Sequence, residues 1–249
     1  MLERRSIAVS LALSLLPVSA LPACAVAAQS SPDSGASSSN LTAQEATDAT
    51  ADAQMRVNDA IAVVGKMKAD PHVGELLAQA KGAVIIPHYL QAALVFGGRS
   101  GSGLLLVRRD AGWSDPVFYK ISGGSFGAQI GGTKGALVLL LMSDKAIDAF
   151  ENKASTWSLS AGAGLTAVNY SRQTPESETL SDVVVWSDTK GLFGGAAVGA
   201  SKVARDTTAN QTYYNNRDVT AQQILSGAIS NPNAKPLRDV MPPPQASKP

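Results

Sequence analysis

The feature that most constrains the fold is a series of short apolar runs that begins beyond Gly82. Some runs alternate apolar and polar residues, others are apolar throughout, and Gly, Pro, Asp and Ser separate them. Runs of this kind are typical of successive antiparallel strands. They read AVIIP, AALVFGG, GLLLVRR, PVFYKIS, GALVLLLM, STWSLSAGAG and DVVVWS. The central part of the chain is therefore predicted to form an antiparallel sheet.

Helical patterns precede and follow these runs. Apolar residues from Ala46 to Met67 recur at steps of three and four, so they trace one face of a long helix. Shorter helices are predicted after Asp70, after Ser143 and after Val219. We therefore expect an α+β fold, in which an antiparallel β-barrel core carries about three or four helices on its outside and flexible Gly-rich loops.

The two ends of the chain have the composition of segments outside a fold. Residues 1–23 place two arginines before an apolar run that is too short to span a bilayer, as in a secretory signal peptide. Residues 24–40 are small and polar, as in a flexible tether, and residues 231–249 form a Pro-rich tail that we expect to be extended and disordered. The folded domain is predicted to span residues 41–230.

The single cysteine, Cys24, ends the sequence LPAC. A Leu three residues earlier and a small residue directly before the cysteine resemble a bacterial lipoprotein signal, in which the cysteine is lipidated. Ala25 follows rather than Asp, which in that resemblance favours the outer membrane. We therefore expect an exported outer-membrane lipoprotein that faces the periplasm or the surface and is held by a lipid anchor. Ordinary cleavage after Ala27 is the alternative, and it would leave a soluble periplasmic protein.

The overall charge excludes one class of partner. The sequence has 21 basic and 20 acidic residues, and loss of residues 1–23 leaves the net charge close to zero. A chain without net charge has no general attraction for nucleic acid, so no nucleic-acid partner is expected. Any electrostatic binding must come from a local cluster.

The sequence GGSFG around Ser125 has the Gly-x-Ser-x-Gly spacing of a hydrolase nucleophile. Both histidines, His72 and His88, precede this serine, and a strand pattern follows it where the hydrolase motif needs a helix. We interpret the glycines as residues that let a strand bend, and a serine hydrolase is the weakest alternative. Two distant histidines and one cysteine match no zinc site, and no nucleotide-binding loop is present, so we expect no enzyme activity, metal or cofactor.

Five basic residues lie within or beside Gly-rich turns. Flexible glycine backbone can direct N–H groups at an anion, and a nearby Lys or Arg adds positive charge. The five are Arg99, Arg108, Arg109, Lys134 and Lys190. They are candidates for binding a phospholipid headgroup, and the alternative is that they are scattered, solvated charges. Only their convergence in space would decide between the two.

Five stretches of sequence resemble, in order and spacing, the SYLF-domain family. They are AKGAVIIP, VFGGRSGSGLLLVR, GWSDPVFYKISGGSFGAQIGG, LVLLLMSDKAIDAF and WSDTKGLFGG, and YYNN and QQILSG extend the likeness over residues 45–228. The resemblance implies a β-barrel core with helices packed on it, no known catalytic activity, and binding of anionic phospholipids such as phosphoinositides. The first helix lacks the dense basic cluster of eukaryotic members, so a simpler lipid such as phosphatidic acid or phosphatidylglycerol is expected.

Together these observations predict non-enzymatic binding of anionic phospholipids by an envelope-anchored barrel domain. The alternative is a structural or scaffolding envelope lipoprotein that contacts another protein through its loops or its Pro-rich tail.

Overall fold

The N-terminal part of the domain is helical. The computed structural model describes residues 42–93, 96–126, 131–152, 156–158, 165–170, 181–188 and 201–243. Helix α1 spans Ala43–Ala69 and helix α2 spans Pro71–Gln79. A capping box of Thr42 and Glu45 begins α1, and the Asp70 carboxylate caps α2, so side chains satisfy N–H groups that a helix start leaves without partners. Both helices lie where the periodicity predicts them.

Within the described residues, nine strands pair into one sheet. In chain order, β1 to β9 span Gly82–Ala93, Phe96–Arg109, Gly112–Trp113, Val117–Phe126, Gly131–Leu141, Thr156–Ser158, Ala167–Asn169, Val183–Ser187 and Lys202–Arg205. The order across the sheet is β6-β9-β4-β2-β1-β5-β8-β7, and β3 pairs with β2. The pairs are antiparallel except for β7 with β8.

Strand β1 lies at the centre of the sheet and contains a proline. Its register with β2 shifts between Ile85 and His88, and its register with β5 shifts between Ile86 and Tyr89. Pro87 lies at this shift. Because proline has no N–H to donate to a neighbouring strand, a central strand accommodates it by an irregularity in the ladder.

The sheet is not closed into a barrel, so this part of the expected fold is wrong. Closure requires the two edge strands to pair with each other. In the part of the chain that the structure describes, the edges are β6 and β7, each three residues long, and no pairing joins them. The α+β class with a mainly antiparallel sheet is confirmed.

Much of the Gly-rich sequence forms strand rather than loop. Arg99 and Lys134, which we expected in turns, lie within β2 and β5. A Cβ atom on Gly103 would lie 2.5 Å from the carbonyl oxygen of Ile85, which no real side chain tolerates. Glycine at this position therefore allows the backbones of β1 and β2 to approach closely.

Four more α-helices follow among the described residues, giving six where three or four were expected. Helices α3 to α6 span Asp144–Asn152, Thr207–Tyr213, Ala221–Leu225 and Lys235–Val240, and a 3-10 turn spans Pro232–Ala234. Residues 231–243 were expected to be extended, but they fold onto the domain. The reason is burial, since Leu237 is completely buried and Met241 is 4% exposed.

Strand β5 crosses the core. Each residue from Leu137 to Leu141 has 0% exposure, so both faces of the strand are covered, as its uninterrupted apolar run predicts. Helix α1 contacts β1, β2, α4 and α6, so its apolar face joins the sheet to the C-terminal helices.

Candidate functional site

The four predicted basic residues that the structure describes are divided between the two ends of the sheet. Arg99 lies near the start of β2, whereas Arg108 and Arg109 end the same strand. Nine residues of extended strand span about 30 Å. Lys134 is exposed on β5. Lys190 and the expected lipidation site, Cys24, lie outside the described residues.

Arg108 is occupied by contacts within the protein. Its Nε donates to the Ala80 carbonyl at 3.0 Å, its Nη2 to the Leu77 carbonyl at 3.2 Å, and its Nη1 to the Pro243 carbonyl at 3.0 Å. Its guanidinium carbon lies 4.6 Å from the centre of the Trp113 ring. Burial lowers the pKa of Arg108. These contacts give Arg108 a structural role at the far end of β2.

Arg109 has partners of its own in the fold. Its Nε donates to the carbonyl of Leu225 at 3.3 Å, and its Nη2 forms an ion pair with Glu151 of α3. The two arginines at the end of β2 therefore join the sheet to neighbouring segments.

Arg99 differs from them because much of its guanidinium lacks partners. The residue is 6% exposed, and its Nη2 donates to the carbonyl of Gly124 at 3.2 Å. Its Nε and Nη1 are buried and have no hydrogen-bond partner among the residues that the structure describes. A buried charge without acceptors raises the free energy of the folded state, and oxygen atoms of an anion would satisfy it.

Two further polar residues lie near Arg99 in the sheet. Tyr89 is 1% exposed, and burial raises the pKa of its hydroxyl although the positive charge of Arg99 acts in the opposite direction. Gln91 is directly opposite Arg99 in the ladder, and within the described ranges its buried Oε1 has no hydrogen-bond partner. This end of the sheet thus contains several buried polar atoms whose hydrogen-bonding capacity is unused.

The other face of the same strands carries a row of exposed residues, which we call the Leu90 row. Residues directly opposite one another in a sheet point to the same face. Pairing across five strands aligns Lys134, Leu90, Ser100, Ser122 and Lys202, in that order. All five are exposed, and Leu90 has 48% of its surface accessible. The row therefore places a large apolar side chain and two hydroxyls between two lysines.

A groove of about 620 Å³ lies beside the Leu90 row. It reaches both the exposed row and the buried Arg99. Its lining comprises Leu90, Gly98, Arg99, Ser100, Ser122, Gly123, Gly124 and Lys202. A Cβ atom on Gly123 would lie 3.3 Å from Arg99 Cγ, so glycine at this position leaves room for the arginine side chain.

Ser125 lies in a strand rather than at the start of a helix. It belongs to β4, and its backbone is paired with Gly97 of β2. A nucleophile elbow needs a tight turn from strand to helix, and the backbone at Ser125 does not form one. Within the described residues, no group of three or more His, Cys, Asp and Glu side chains is arranged to hold a metal ion.

Two residues of this site, Leu90 and Lys202, were not predicted from the sequence. Leu90 lies within the mostly apolar run YLQAALVF. The run does not show that Leu90 is exposed whereas its neighbour Tyr89 is buried. Lys202 belongs to a short strand without a clear apolar pattern. The alternation of His88 and Leu90 with Tyr89 and Gln91 was the available signal for the exposed face.

Comparison with known proteins yields one family and several relatives. Residues 122–242 match the family model Ysc84, described as Las17-binding protein actin regulator. The chain is 35% identical over 164 residues to an SH3 domain-containing protein of Schizosaccharomyces pombe, a match that covers 64% of this chain and 38% of that protein. It is 31% identical over 165 residues to Protein YSC84 of Saccharomyces cerevisiae, covering 64% and 35% respectively.

A vertebrate protein matches as well. The chain is 30% identical over 178 residues to SH3 domain-containing YSC84-like protein 1 of Xenopus laevis, covering 69% of this chain and 51% of that protein. The chain thus spans about a third to a half of the length of these relatives. The family description names a binding protein and a regulator, and none of these relatives is named as an enzyme. No solved structure matches the chain.

These relatives correct the expected location. The expectation of an outer-membrane lipoprotein is wrong, because the relatives come from two yeasts and a frog, whose cells have no bacterial outer membrane. The expected bacterial lipoprotein branch is not shown either. The predicted signal peptide lies outside the described residues, and none of the helices that the structure describes has the length and apolar character needed to cross a membrane.

Proposed function

We propose that the chain is a non-enzymatic module that binds another protein. The proposal starts from the Ysc84/SYLF domain, which the family model and the curated relatives support in this chain. The family description, Las17-binding protein actin regulator, suggests what such a partner is. The proposal concerns the domain alone, because the chain spans only part of its relatives.

The Leu90 row is the observation that supports this proposal. Protein interfaces commonly contain a large apolar anchor with polar and charged residues around it. Leu90 and Met55, at 48% and 56% exposure, are the two large apolar residues that stand out from the surface described here. Leu90 lies in a row with serines, and lysines end the row about 20 Å apart. Such a face fits a partner that offers an apolar pocket with acidic groups on either side.

The first test measures binding of the purified chain to Las17 and to filamentous actin, both from budding yeast. We expect binding to at least one of them. The Leu90→Asp variant is expected to bind at least about tenfold more weakly, because it puts a carboxylate in the place of the apolar anchor.

Met55→Asp is the matched control. It changes an equally exposed apolar residue to the same carboxylate, but on helix α1, and it is expected to change affinity less than about twofold. Loss of binding in both variants would show that the Leu90 row is not the interface. Absence of binding to both proteins by the parent chain would overturn the proposed function.

As a second candidate function, we propose that the groove beside Arg99 binds the phosphate of an anionic phospholipid. The supporting observation is the buried guanidinium, whose Nε and Nη1 have no hydrogen-bond partner in the described part of the chain. A phosphate oxygen accepts charge-assisted hydrogen bonds from such a group. Lys134 and Lys190 stay in this proposal as further basic residues.

Vesicle binding tests the second candidate. Binding to vesicles that contain phosphatidic acid is expected to exceed binding to neutral phosphatidylcholine vesicles and to weaken as salt rises. Arg99→Ala and Lys134→Ala are expected to lower it. Arg109→Ala should leave it unchanged, because this residue lies at the opposite end of β2. Equal binding to both vesicles, or equal loss in all three variants, would contradict the site.

A further inference from the structure

The C-terminal segment, residues 231–243, ends with prolines that contact an aromatic side chain. Pro242 is buried and Pro243 is exposed. The indole Nε1–H of Trp113 donates to the carbonyl of Pro242 at 2.7 Å. The next carbonyl, that of Pro243, accepts from Nη1 of Arg108 at 3.0 Å. Two successive proline carbonyls therefore accept hydrogen bonds from two neighbouring side chains.

The residue directly before the prolines has backbone angles in the polyproline II region. Met241 has φ −67° and ψ 146°, which are the values of this helix. Each proline also disfavours the α conformation in the residue before it, so the sequence Met-Pro-Pro-Pro favours this conformation on its own. A polyproline II helix has no internal hydrogen bonds, and its carbonyl oxygens are free to accept from a receptor.

The Trp113–Arg108 pair is held in place by the sheet. Trp113 of β3 is directly opposite Arg108 of β2, and the guanidinium lies over the indole ring. The remaining guanidinium nitrogens donate to Ala80 and Leu77, and Trp113 is 8% exposed. Contacts that do not involve the C-terminal segment thus orient both donors, and such orientation lowers the entropy lost on binding.

Contacts upstream hold the prolines close to this pair. Arg238 forms an ion pair with Asp115, and the backbone N–H of Asn231 donates to the same carboxylate at 2.6 Å. Lys68 of α1 donates to the carbonyl of Val240 at 3.1 Å. A segment tethered in this way has an effective concentration on the order of millimolar at the receptor.

We propose that the Trp113–Arg108 pair is a binding site for proline-rich segments in the polyproline II conformation. In this chain the C-terminal segment occupies it, and a proline-rich segment of a partner protein takes its place when the C-terminal segment is displaced. Aromatic residues that donate to proline carbonyls are a general means of recognising such segments. The site is separate from the Leu90 row, and the inference does not rest on the proposed function.

The test follows the indole N–H signal of Trp113 by NMR in the full chain. The probe is a synthetic peptide of sequence DVMPPPQAS, which copies residues 239–247. Pro243→Gly loosens the C-terminal segment at an exposed position. In this variant we expect the peptide to shift the Trp113 signal in a saturable way, whereas the parent chain requires at least about tenfold more peptide because its own segment competes.

Two controls define the site. A peptide in which the three prolines are replaced by alanine is expected to leave the signal unmoved. Trp113→Phe, added to Pro243→Gly, removes the indole donor and is expected to weaken peptide binding about tenfold, measured by calorimetry. Trp186→Phe makes the same change at another tryptophan in the sheet and should leave peptide binding unaltered.

A second variant keeps the inference falsifiable if Pro243→Gly disturbs the fold. Arg238→Ala removes the ion pair that holds α6 and leaves the Trp113–Arg108 pair intact, so it should also open the site. If the peptide fails to shift the Trp113 signal at millimolar concentration in a folded variant, the inference is overturned. The C-terminal segment would then be a structural clamp alone.

Discussion

At the scale of single residues, the approach of β1 and β2 depends on glycine. Gly98 and Gly103 both belong to β2, but their surroundings differ. A Cβ atom on Gly103 would meet the Ile85 carbonyl oxygen at 2.5 Å and a carbon of Ile86 at 2.7 Å, whereas one on Gly98 would meet nothing within 4 Å. The requirement for glycine is therefore local to the buried half of the strand.

Gly103→Ala is predicted to destabilise the domain by about 1 to 3 kcal/mol, because the backbones of the two strands must move apart. Urea denaturation measures the change in the free energy of unfolding. Gly98→Ala is the control in the same strand, and it should lie within about 0.5 kcal/mol of the parent chain. Equal losses in the two variants would contradict a steric role for Gly103.

For single residues, the sequence predicted the local backbone but not the contacts with residues distant along the chain. Gly123 and Gly124, beside Ser125, lie in a strand as expected, and the proposal that they let it bend stays a prediction. Arg108 was predicted to bind an anion, yet it donates to Leu77 and Pro243. These acceptors are 31 and 135 residues away along the chain, so no local pattern could reveal that the guanidinium was already occupied.

At the scale of elements, α6 was missed because a helix this short leaves no periodic pattern. Lys235–Val240 contains a proline in its first turn and a single buried residue, Leu237. Its stability comes from docking on α1 and from the ion pair of Arg238 with Asp115. The long helix α1, by contrast, has enough turns for its apolar face to be recognised from the periodicity of the sequence.

Leu237→Ala is predicted to lower the free energy of unfolding by about 2 to 5 kcal/mol, since it empties a completely buried position. Lys235→Ala, in the same helix, removes only an exposed pair with Asp239 and should cost less than about 0.5 kcal/mol. Thermal unfolding of the two variants distinguishes them. Similar melting temperatures would show that α6 does not contribute to the core.

At the scale of the whole molecule, Asp206 joins three distant elements. Its carboxylate accepts from Arg56 of α1 at 2.7 Å and pairs with Lys120 of β4 at 3.1 Å, and it accepts from the N–H of Ala209 in α4 at 3.3 Å. Burial raises the pKa of Asp206, but the hydrogen bonds from Arg56 and Lys120 outweigh it, and the pKa lies below its ordinary value.

A lowered pKa predicts how stability depends on pH. The fold favours the ionised carboxylate of Asp206. Its contribution to the free energy of unfolding is therefore fully present above the unfolded-state pKa of about 4, and it is lost as the pH falls below that value toward the folded-state pKa. The Asp206→Asn variant should therefore be less stable than the parent chain at pH 7, and the difference should shrink at pH 3. Urea denaturation at both values measures it.

The exposed Asp218→Asn variant is the control for Asp206→Asn. It changes the net charge equally but should follow the parent chain at both pH values. A difference between Asp206→Asn and the parent chain that stays constant from pH 7 to pH 3 would contradict the assignment.

The sequence also did not predict that the sheet is open. Apolar runs predicted strands within β1, β2, β4 and β5 and their antiparallel sense, but the run AALVFGG, expected to be one strand, contains the end of β1 and the start of β2. Whether the edge strands meet depends on twist and on the residues between them, which no single run encodes. The expected barrel is therefore wrong at the edges of the sheet, whereas the antiparallel pairing of its long strands is confirmed.

Helix α1 packs on α4 and α6, and Arg56 reaches a partner 150 residues further along the chain. On a ribosome that adds about 5 to 20 residues per second, the apolar face of α1 emerges about 8 to 30 s before the partner of Arg56 is made. Until then, the part of this face that α4 and α6 cover in the folded chain is exposed and can contact other apolar surfaces in the cell. Newly made chains therefore depend on a holdase, or on rapid completion of translation, more than a domain with neighbouring contacts would.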